Sequence, residues 1–324
     1  MNEKTRAYDV IAVDIGATHL RTARISASGT LHDLKRQNLC TTCRSAEEIT
    51  RSVVTAVGEL LGMGRDSPAT AIGIAAAGPL NSGFGAIVGS PNMPYARIDL
   101  TDPLQEAVGL PVYLLNDCTA GALGETSFGP FREAADLVYI TMSTGIGAGV
   151  IAGGHPMTGN NGNAAEVGHM CVDTTFHLPC GCGGRGHWEA YASGTGIPPF
   201  FRRWCDTHLP GRFVDDYPSS APAVFEAVRD SQELEGFLDA LAVVNGRGLS
   251  NVIAAFEPEH IVLDGPLIRE HADLLLGPML DATDRYLTLP TVTVSTMEGF
   301  SPLFGAAAFA LKKSGLFSNM HGTL

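Results

Sequence analysis

Residues 7–25 read AYDVIAVDIGATHLRTARI, and residues 136–154 read DLVYITMSTGIGAGVIAGG. Each stretch is a buried-type strand, a glycine turn and a second strand. Short apolar runs bounded by glycine are the signature of strands packed inside a sheet. The two stretches share a plan rather than residues, and they lie about 130 positions apart. That repetition predicts a duplicated α/β architecture, each half offering one glycine turn to a shared cleft.

Outward from the first unit, LHDLKRQNL (31–39) extends the opening into an antiparallel meander. Ile49, Val53, Val54, Val57, Leu60 and Leu61 recur at helical spacing over 45–62. ATAIGIAAAG (69–78) and VYLLND (112–117) read as strands, with a helix starting in CTAGALGET (118–126). Beyond the second unit, 235–256 is helical, HIVLDG (260–265) is a strand, and GAAAFALKKSG (305–315) is a final helix. Lys312 and Lys313 stand near its C-terminus, where the helix dipole favours cations. DTHLPGRFVDDYPSSAP (206–222) is the most linker-like stretch.

The chain has 324 residues, a length that supports about two domains. Its 45% hydrophobic and 17% charged content argues against disorder. The 38 glycines follow no collagen period and cluster in short turns. With 21 basic and 34 acidic residues the net charge is −13, which disfavours binding to a nucleic-acid backbone. No apolar run approaches the ~18 residues of a membrane helix, and no signal-peptide pattern opens the chain. Seven cysteines without an export signal fit a reducing cytoplasm, with thiols free or on metal.

Asp14, Gly16 and Thr18 combine a carboxylate at a strand end, a close-approach glycine and a hydroxyl. The turn reads as a phosphate or metal-phosphate cradle, or as a plain hairpin turn. Ser143, Thr144, Gly145, Gly147 and Gly149 repeat the pattern in STGIGAG. No G-K-[ST] follows, so this is not a Walker loop. Gly181, Gly183 and Gly186 do spell G-x-G-x-x-G, but after Pro179-Cys180 rather than after a strand.

His169, Cys180, Cys182 and His187 are spaced H-x10-C-x-C-x4-H. Two thiolates and two imidazoles suit a closed, tetrahedral, structural zinc site; a cysteine-rich turn with surface histidines is the plainer reading. Cys40 and Cys43 have redox-motif spacing without nearby partners, and Cys118, Cys171 and Cys205 carry no pattern. Asn116-Asp117 closes a strand and starts a helix. A carboxylate there can take a proton from an attacking hydroxyl, and both residue types also cap helices. Glu166 and Glu189 flank the proposed zinc ligands, so metal would fix two loops that each bear a carboxylate suited to vicinal hydroxyls.

Taken in order, DIGATHLR, IGIAAAGPL, SPNMP, LNDCTAGALGE, STGIGAG, NAAEVGHM, CGCGGRGHWEAYASG and IVLDG resemble the ROK family of repressors and sugar kinases, from about residue 8 to about residue 310. The resemblance implies the actin-like ATPase fold, a duplicated ribonuclease-H-like α/β architecture with two domains around a cleft. The expected domains are residues 1–116 with 303–324, and residues 117–302 bearing the zinc site. It implies ATP-dependent phosphorylation of a glucose-like hexose at its 6-hydroxyl, with Asp117 as general base. Asn116, Asp117, Glu166, His169, Glu189 and Asn92 are the implied sugar contacts. Asp14, Gly16, Thr18, Thr144, Gly145, Gly147, Gly149 and Gly265 are the implied ATP contacts. ATP, Mg²⁺ and structural Zn²⁺ are the implied cofactors, and the expected assembly is a homodimer or homotetramer.

Three positions depart from the family pattern: His187 replaces a usual Cys, Ala165 a glycine, and Asp264 the first glycine of a Gly-Gly pair. Allose, fructose, N-acetylmannosamine or N-acetylglucosamine are alternative substrates. A sugar-sensing repressor is the alternative of another class, disfavoured because 13 residues before Asp14 leave no room for a helix-turn-helix. A zinc hydrolase would need an open metal position, which four protein ligands would close.

Overall fold

The structure is a computed structural model and describes residues 8–16, 18–39, 45–63, 68–90, 93–213 and 216–316. Asn92, Cys40 and Cys43 lie outside the described residues.

The chain opens with β1 (Asp9–Ile15), β2 (His19–Ser26) and β3 (Leu31–Asn38). Every residue of β1 is buried, its apolar run Val10–Val13 lying between two buried aspartates, Asp9 and Asp14. β1 pairs antiparallel with β2, and β2 with β3, which places Asp14, Arg21 and Arg36 in one cross-strand row. In α1 (Ala46–Leu61), Ile49, Val53, Val57 and Leu60 form the buried stripe. Each such aliphatic side chain contributes roughly 1.5–3 kcal/mol on burial. β4 (Ala69–Ala76) follows, then the short β5 (Leu80–Asn81), β6 (Ala86–Val88) and β7 (Arg97–Asp99), which make a three-stranded sheet of their own. α2 (Thr101–Val108) ends on Gly109 in the left-handed region. β8 (Val112–Asn116) then runs into α3 (Asp117–Ser127). The first main sheet has the order β3-β2-β1-β4-β8, with β4 parallel to β1 and β8 parallel to β4.

The second main sheet repeats that plan. β9 (Leu137–Met142), β10 (Ile146–Ala152) and β11 (His155–Pro156) come first. A run of helices follows: α4 (Glu189–Ala192), α5 (Ile197–His208), α6 (Ala221–Arg229) and α7 (Glu235–Phe256). β12 (His260–Asp264), α8 (Pro266–Asp281) and β13 (Thr291–Val294) complete it. The order is β11-β10-β9-β12-β13, with β12 parallel to both β9 and β13. The duplication expected from 7–25 and 136–154 is therefore present in the sheets.

α9 (Ser301–Lys313) starts four residues before the expected 305, because Pro302 sits in its first turn, where a missing N–H costs nothing. It packs on α3, β1, β4 and β8. At Gly124 and Gly305 the two helices touch backbone to backbone: a Cβ on Gly124 would collide with the Ser301 carbonyl, and one on Gly305 with the Ala120 carbonyl.

The contacts divide the chain into two units, residues 1–135 with 149–164 and 296–324, and residues 136–148 with 165–295. α3, expected at the head of the second domain, belongs to the first unit through its seam with α9. The linker-like stretch 206–222 lies inside the second unit; α5 runs through His208, and α6 begins at Ala221. Among the described residues no helix is long and apolar enough to cross a membrane.

Candidate functional site

In the first unit the residues of interest gather where parallel strands end. The register aligns Ile15 of β1, Ala76 of β4 and Asn116 of β8 in one row. Asp14 and the Asn116-Asp117 pair therefore share one sheet edge, the carboxyl end at which open α/β sheets place ligands.

The DIGATH turn is tight, with the Gly16 N–H donating to the His19 carbonyl at 3.0 Å. The Thr18 hydroxyl is 2.6 Å from His19 Nδ1. Asp14 is buried, and burial raises its pKa above the ordinary carboxylate value while Arg21 works against the rise. Arg21 places Nε 2.6 Å from Asp14 Oδ2, adds a contact from Nη2, and donates from Nη1 to the Gly299 carbonyl at 2.7 Å. Asp14 Oδ1 remains free among the described residues, a fit for one carboxylate contact to Mg²⁺, which keeps most of its shell for water and phosphate. Arg21 escaped notice in the sequence because it occupies an ordinary polar position of a strand.

Asn116 caps α3, its Oδ1 accepting from Cys118 N at 3.0 Å and Thr119 N at 3.1 Å. The cap leaves Asn116 Nδ2 for another partner and puts Asp117 at the first helical position. Asp117 Oδ1 accepts from Cys118 N at 2.9 Å, and the side chain is only partly buried. Asn163, at the head of NAAEVGHM, clamps Leu80 from both sides, accepting from its N–H at 2.7 Å and donating to its carbonyl at 2.8 Å. Gly149 has a packing reason: a Cβ there would collide with the Cys118 carbonyl at the start of α3. It lies inside β10, past the turn expected to take phosphate.

In the second unit, β9 and β12 end side by side, with Thr141 paired to Asp264. The second glycine turn follows β9. Its Ile146 N–H donates to Glu189 Oε2 at 3.0 Å, and Gly194 N–H donates to the Ser143 carbonyl at 2.7 Å. Asp264 is buried and fully engaged, accepting from Tyr139 Oη at 2.8 Å, Gly265 N at 2.6 Å and Arg269 Nη1 at 3.1 Å. The carboxylate that replaces a glycine therefore serves the turn itself. A cavity of ≈ 280 Å³ opens beside this edge. Ser143 and Thr144 of the turn, Pro222 of α6, and Leu267, Glu270 and His271 of α8 are among its walls. The sequence gives no sign of it, because its lining comes from segments far apart in the chain.

The four metal-type residues do come together. The ligand atoms of His169, Cys180, Cys182 and His187 all lie within 4.8 Å of one another. Cys180 Sγ is 3.6 Å from His169 Nδ1, and Cys182 Sγ is 3.2 Å from His187 Nδ1. Zinc bonds of about 2.0–2.3 Å in a tetrahedron separate ligands by roughly 3.3–3.8 Å, so the donor set fits. Burial pushes the Cys180 thiol up to about 11, with Glu189 and Cys182 adding to the rise. A bound cation would reverse that, since coordination requires thiolate.

The carboxylates sit around this cluster. His169 presents Nδ1 to Cys180 and Nε2 to Glu166 Oε2, 3.8 Å away. Such a carboxylate orients a ligating imidazole. Desolvation raises the Glu166 pKa, with His169 lowering it and Glu189 adding to the rise. Glu189 Oε1 lies 3.7 Å from Cys180 Sγ, so one carboxylate spans the thiol and the second glycine turn. Ala165, the departure from glycine, has φ +64°, which explains why a glycine suits that position. Behind the cluster, Asp173 accepts from the N–H groups of Thr175, Phe176 and His177 and from Tyr191 Oη, while Tyr191 Oη accepts from Leu178 N. Protein hydrogen bonds thus build the loop leading to Cys180.

Residues 10–313 match the model of the ROK family. The chain is 36% identical over 307 residues to a glucokinase of Aeropyrum pernix, covering 92% of each. It is 30% identical over 292 residues to the xylose repressor of Bacillus subtilis, covering 87% of this chain and 70% of that one. Among solved structures it matches a ROK glucokinase from Streptomyces griseus in complex with glucose and AMPPNP, at TM-score 0.73 and 28% identity, over 93% of this chain and 99% of that one.

Proposed function

This chain belongs to the ROK family, and from that premise we propose that it is an ATP-dependent hexose kinase with a glucose-like substrate phosphorylated at its 6-hydroxyl. The observation that carries the reading is the placement of Asp117. It stands at the carboxyl end of β8, and the Asn116 cap fixes the helix start beneath it. A carboxylate so held accepts the hydroxyl proton as the oxygen attacks the γ-phosphorus, and the γ-phosphoryl group passes to sugar as ADP leaves.

Asn116, Glu166, His169 and Glu189 take the role of sugar contacts, and Asn92 is assigned with them from its motif. Asp14, Gly16, Thr18, Thr144, Gly145, Gly147 and Gly265 take the role of nucleotide contacts, with the base in the cavity beside α8. Asp14, through Oδ1, is the group suited to hold Mg²⁺, whose chemistry there is neutralisation of phosphate charge. His169, Cys180, Cys182 and His187 would hold Zn²⁺, which supplies fixed loop geometry. A reducing cytoplasm and a homodimer or homotetramer belong to the same proposal.

The decisive experiment is a coupled ADP-release assay against glucose, allose, fructose, N-acetylmannosamine and N-acetylglucosamine, with Asp117→Asn beside the parent. ADP release that follows one hexose and collapses in the variant is the expected result. No transfer to any hexose would overturn the reading. The match to a xylose repressor supports a second reading, a sugar-responsive regulator. A chain that binds sugar in calorimetry without transferring phosphate would favour it.

A further inference from the structure

His271 departs from the helix that carries it. α8 is helical on both sides of this residue, but His271 itself has φ −129° and ψ 26°. A kink has a cause, and no proline stands within a turn of this one. The imidazole is 9% exposed, lines the cavity beside the second glycine turn, and among the described residues has no hydrogen-bond partner at either ring nitrogen. Both nitrogens are shielded from solvent, so the ring is a buried donor and acceptor left unsatisfied. Leaving such a group unmade costs about 1–3 kcal/mol. The ring packs on Phe225 of α6 with centroids 4.5 Å apart, and α6 also supplies Pro222 to the cavity wall.

Desolvation holds the His271 pKa below the usual imidazole value, and Arg229 adds to that, with Glu270 and Asp273 opposing. At neutral pH the ring is therefore uncharged and offers one N–H and one lone pair. Its surroundings suit a flat, weakly polar heterocycle: Pro222 on one wall and Leu267 on another, with Thr144 and Glu270 for polar edges. A purine edge also carries a donor and an acceptor side by side.

We propose that His271 is a base-reading residue of this cavity, hydrogen-bonding the purine edge of the bound nucleotide. The inference rests on the kinase reading above. Binding is coupled to a small turn of the ring about its side-chain torsions, which brings a nitrogen from its shielded position to the base. The described residues offer the imidazole no protein partner, and the nucleotide would supply one.

The test is calorimetric binding of ADP, GDP and CDP to the full chain, with sugar binding and thermal stability measured in parallel. His271→Phe keeps the ring volume and removes both polar atoms. ADP affinity should fall about tenfold, the value of one buried hydrogen bond. Discrimination among the three bases should flatten, sugar affinity should hold, and Tm should stay level or rise. A purely structural histidine would instead lower Tm and leave the base preference intact, which would overturn the proposal. His271→Asn retains a donor and an acceptor and should recover part of the preference. Pro222→Trp fills the cavity from its rim and separates the two claims. If it abolishes ADP binding while His271→Phe changes nothing, the cavity holds the base without His271. If ADP binds Pro222→Trp as it binds the parent, the placement of the base in this cavity fails as well.

Discussion

The two glycine turns share a backbone plan and differ in what holds them. The first takes both its acid and its cation from the two strands it joins, with Arg21 also donating to the Gly299 carbonyl. Its carboxylate, Asp14, precedes it in β1, its cation, Arg21, follows in β2, and both lie in one cross-strand row. The second has no acid of its own. Its carboxylate is Glu189, 43 positions downstream of Ile146, and that same side chain faces Cys180. Duplication thus preserved a sheet order while the chemistry around each turn diverged. A local ion pair holds the first turn, whereas the carboxylate on the second turn also touches the cysteine–histidine cluster.

The largest expected effect lies outside both turns. If Asp117 is the base, Asp117→Asn should lower kcat by ~10²-fold or more, in the range of general-base catalysis, with sugar affinity changed far less. Near-parental turnover would return the role of base to a carboxylate at one of the turns.

Next comes the second turn itself. A Cβ at Gly145 would collide with Glu189 Oε2. Gly145→Val should therefore displace Glu189, raising KM for ATP and for sugar together, each by about tenfold, as expected for loss of one charge-assisted contact. Arg21→Gln, at the first turn, should change ATP kinetics and leave sugar affinity alone. Identical signatures from both variants would erase the contrast.

Metal removal sharpens the contrast by another route. If the proposed zinc assignment holds, chelation, or Cys180→Ser, should lower Tm by several degrees and weaken sugar binding, since Glu166 and Glu189 contact the cluster. ADP binding should suffer less. Elemental analysis beside calorimetry reads both, and a metal-free protein with parental sugar affinity would refute the coupling.

Asp173 supports the loop leading to Cys180 through hydrogen bonds alone. Burial raises its pKa, but hydrogen bonds from Tyr191 and from the backbone of residues 175–177 outweigh burial and lower it. A carboxyl lowered on folding stabilises above its unfolded value, about 3.9, and loses that contribution as pH falls through the folded value. Asp173→Asn should cost about 2 kcal/mol at pH 7 and remove that part of the acid sensitivity, followed by denaturant titration at several pH values.

The smallest effect is at Ala165. Its left-handed backbone costs about 1 kcal/mol in a non-glycine residue, partly offset by the greater freedom of an unfolded glycine. Ala165→Gly should stabilise the protein by roughly 0.5 kcal/mol without altering the first turn.

Much of this was legible beforehand because the signals were local. Each strand–glycine–strand unit, the Asn-Asp pair at a strand end and the H-x10-C-x-C-x4-H spacing sit within about twenty consecutive residues or fewer. What stayed hidden depends on distance or on torsion. His271 and Glu270 carry no sequence signal, and they become cavity walls only once α6 and the second turn are brought beside them. Gly149 looked like part of a phosphate loop because sequence cannot show the Cys118 carbonyl that lies against it. Ala165 carries no mark of its φ, and Asp264 no mark of Tyr139 and Arg269, which convert it from a misfit into a turn brace.

The glycine seam between α3 and α9 also bears on the order of events at the ribosome. α9 lies against β1, β4 and β8, strands made from residues 9–116, yet it is not synthesised until residues 301–313. During the intervening translation, the apolar sheet face it covers has no native partner from that helix, whereas the second unit, residues 136–148 and 165–295, is fully synthesised before α9 is made. The first unit to begin is therefore the last to be completed, and a nascent chain stalled before Ser301 presents an uncovered sheet to chaperones and to its neighbours on the polysome.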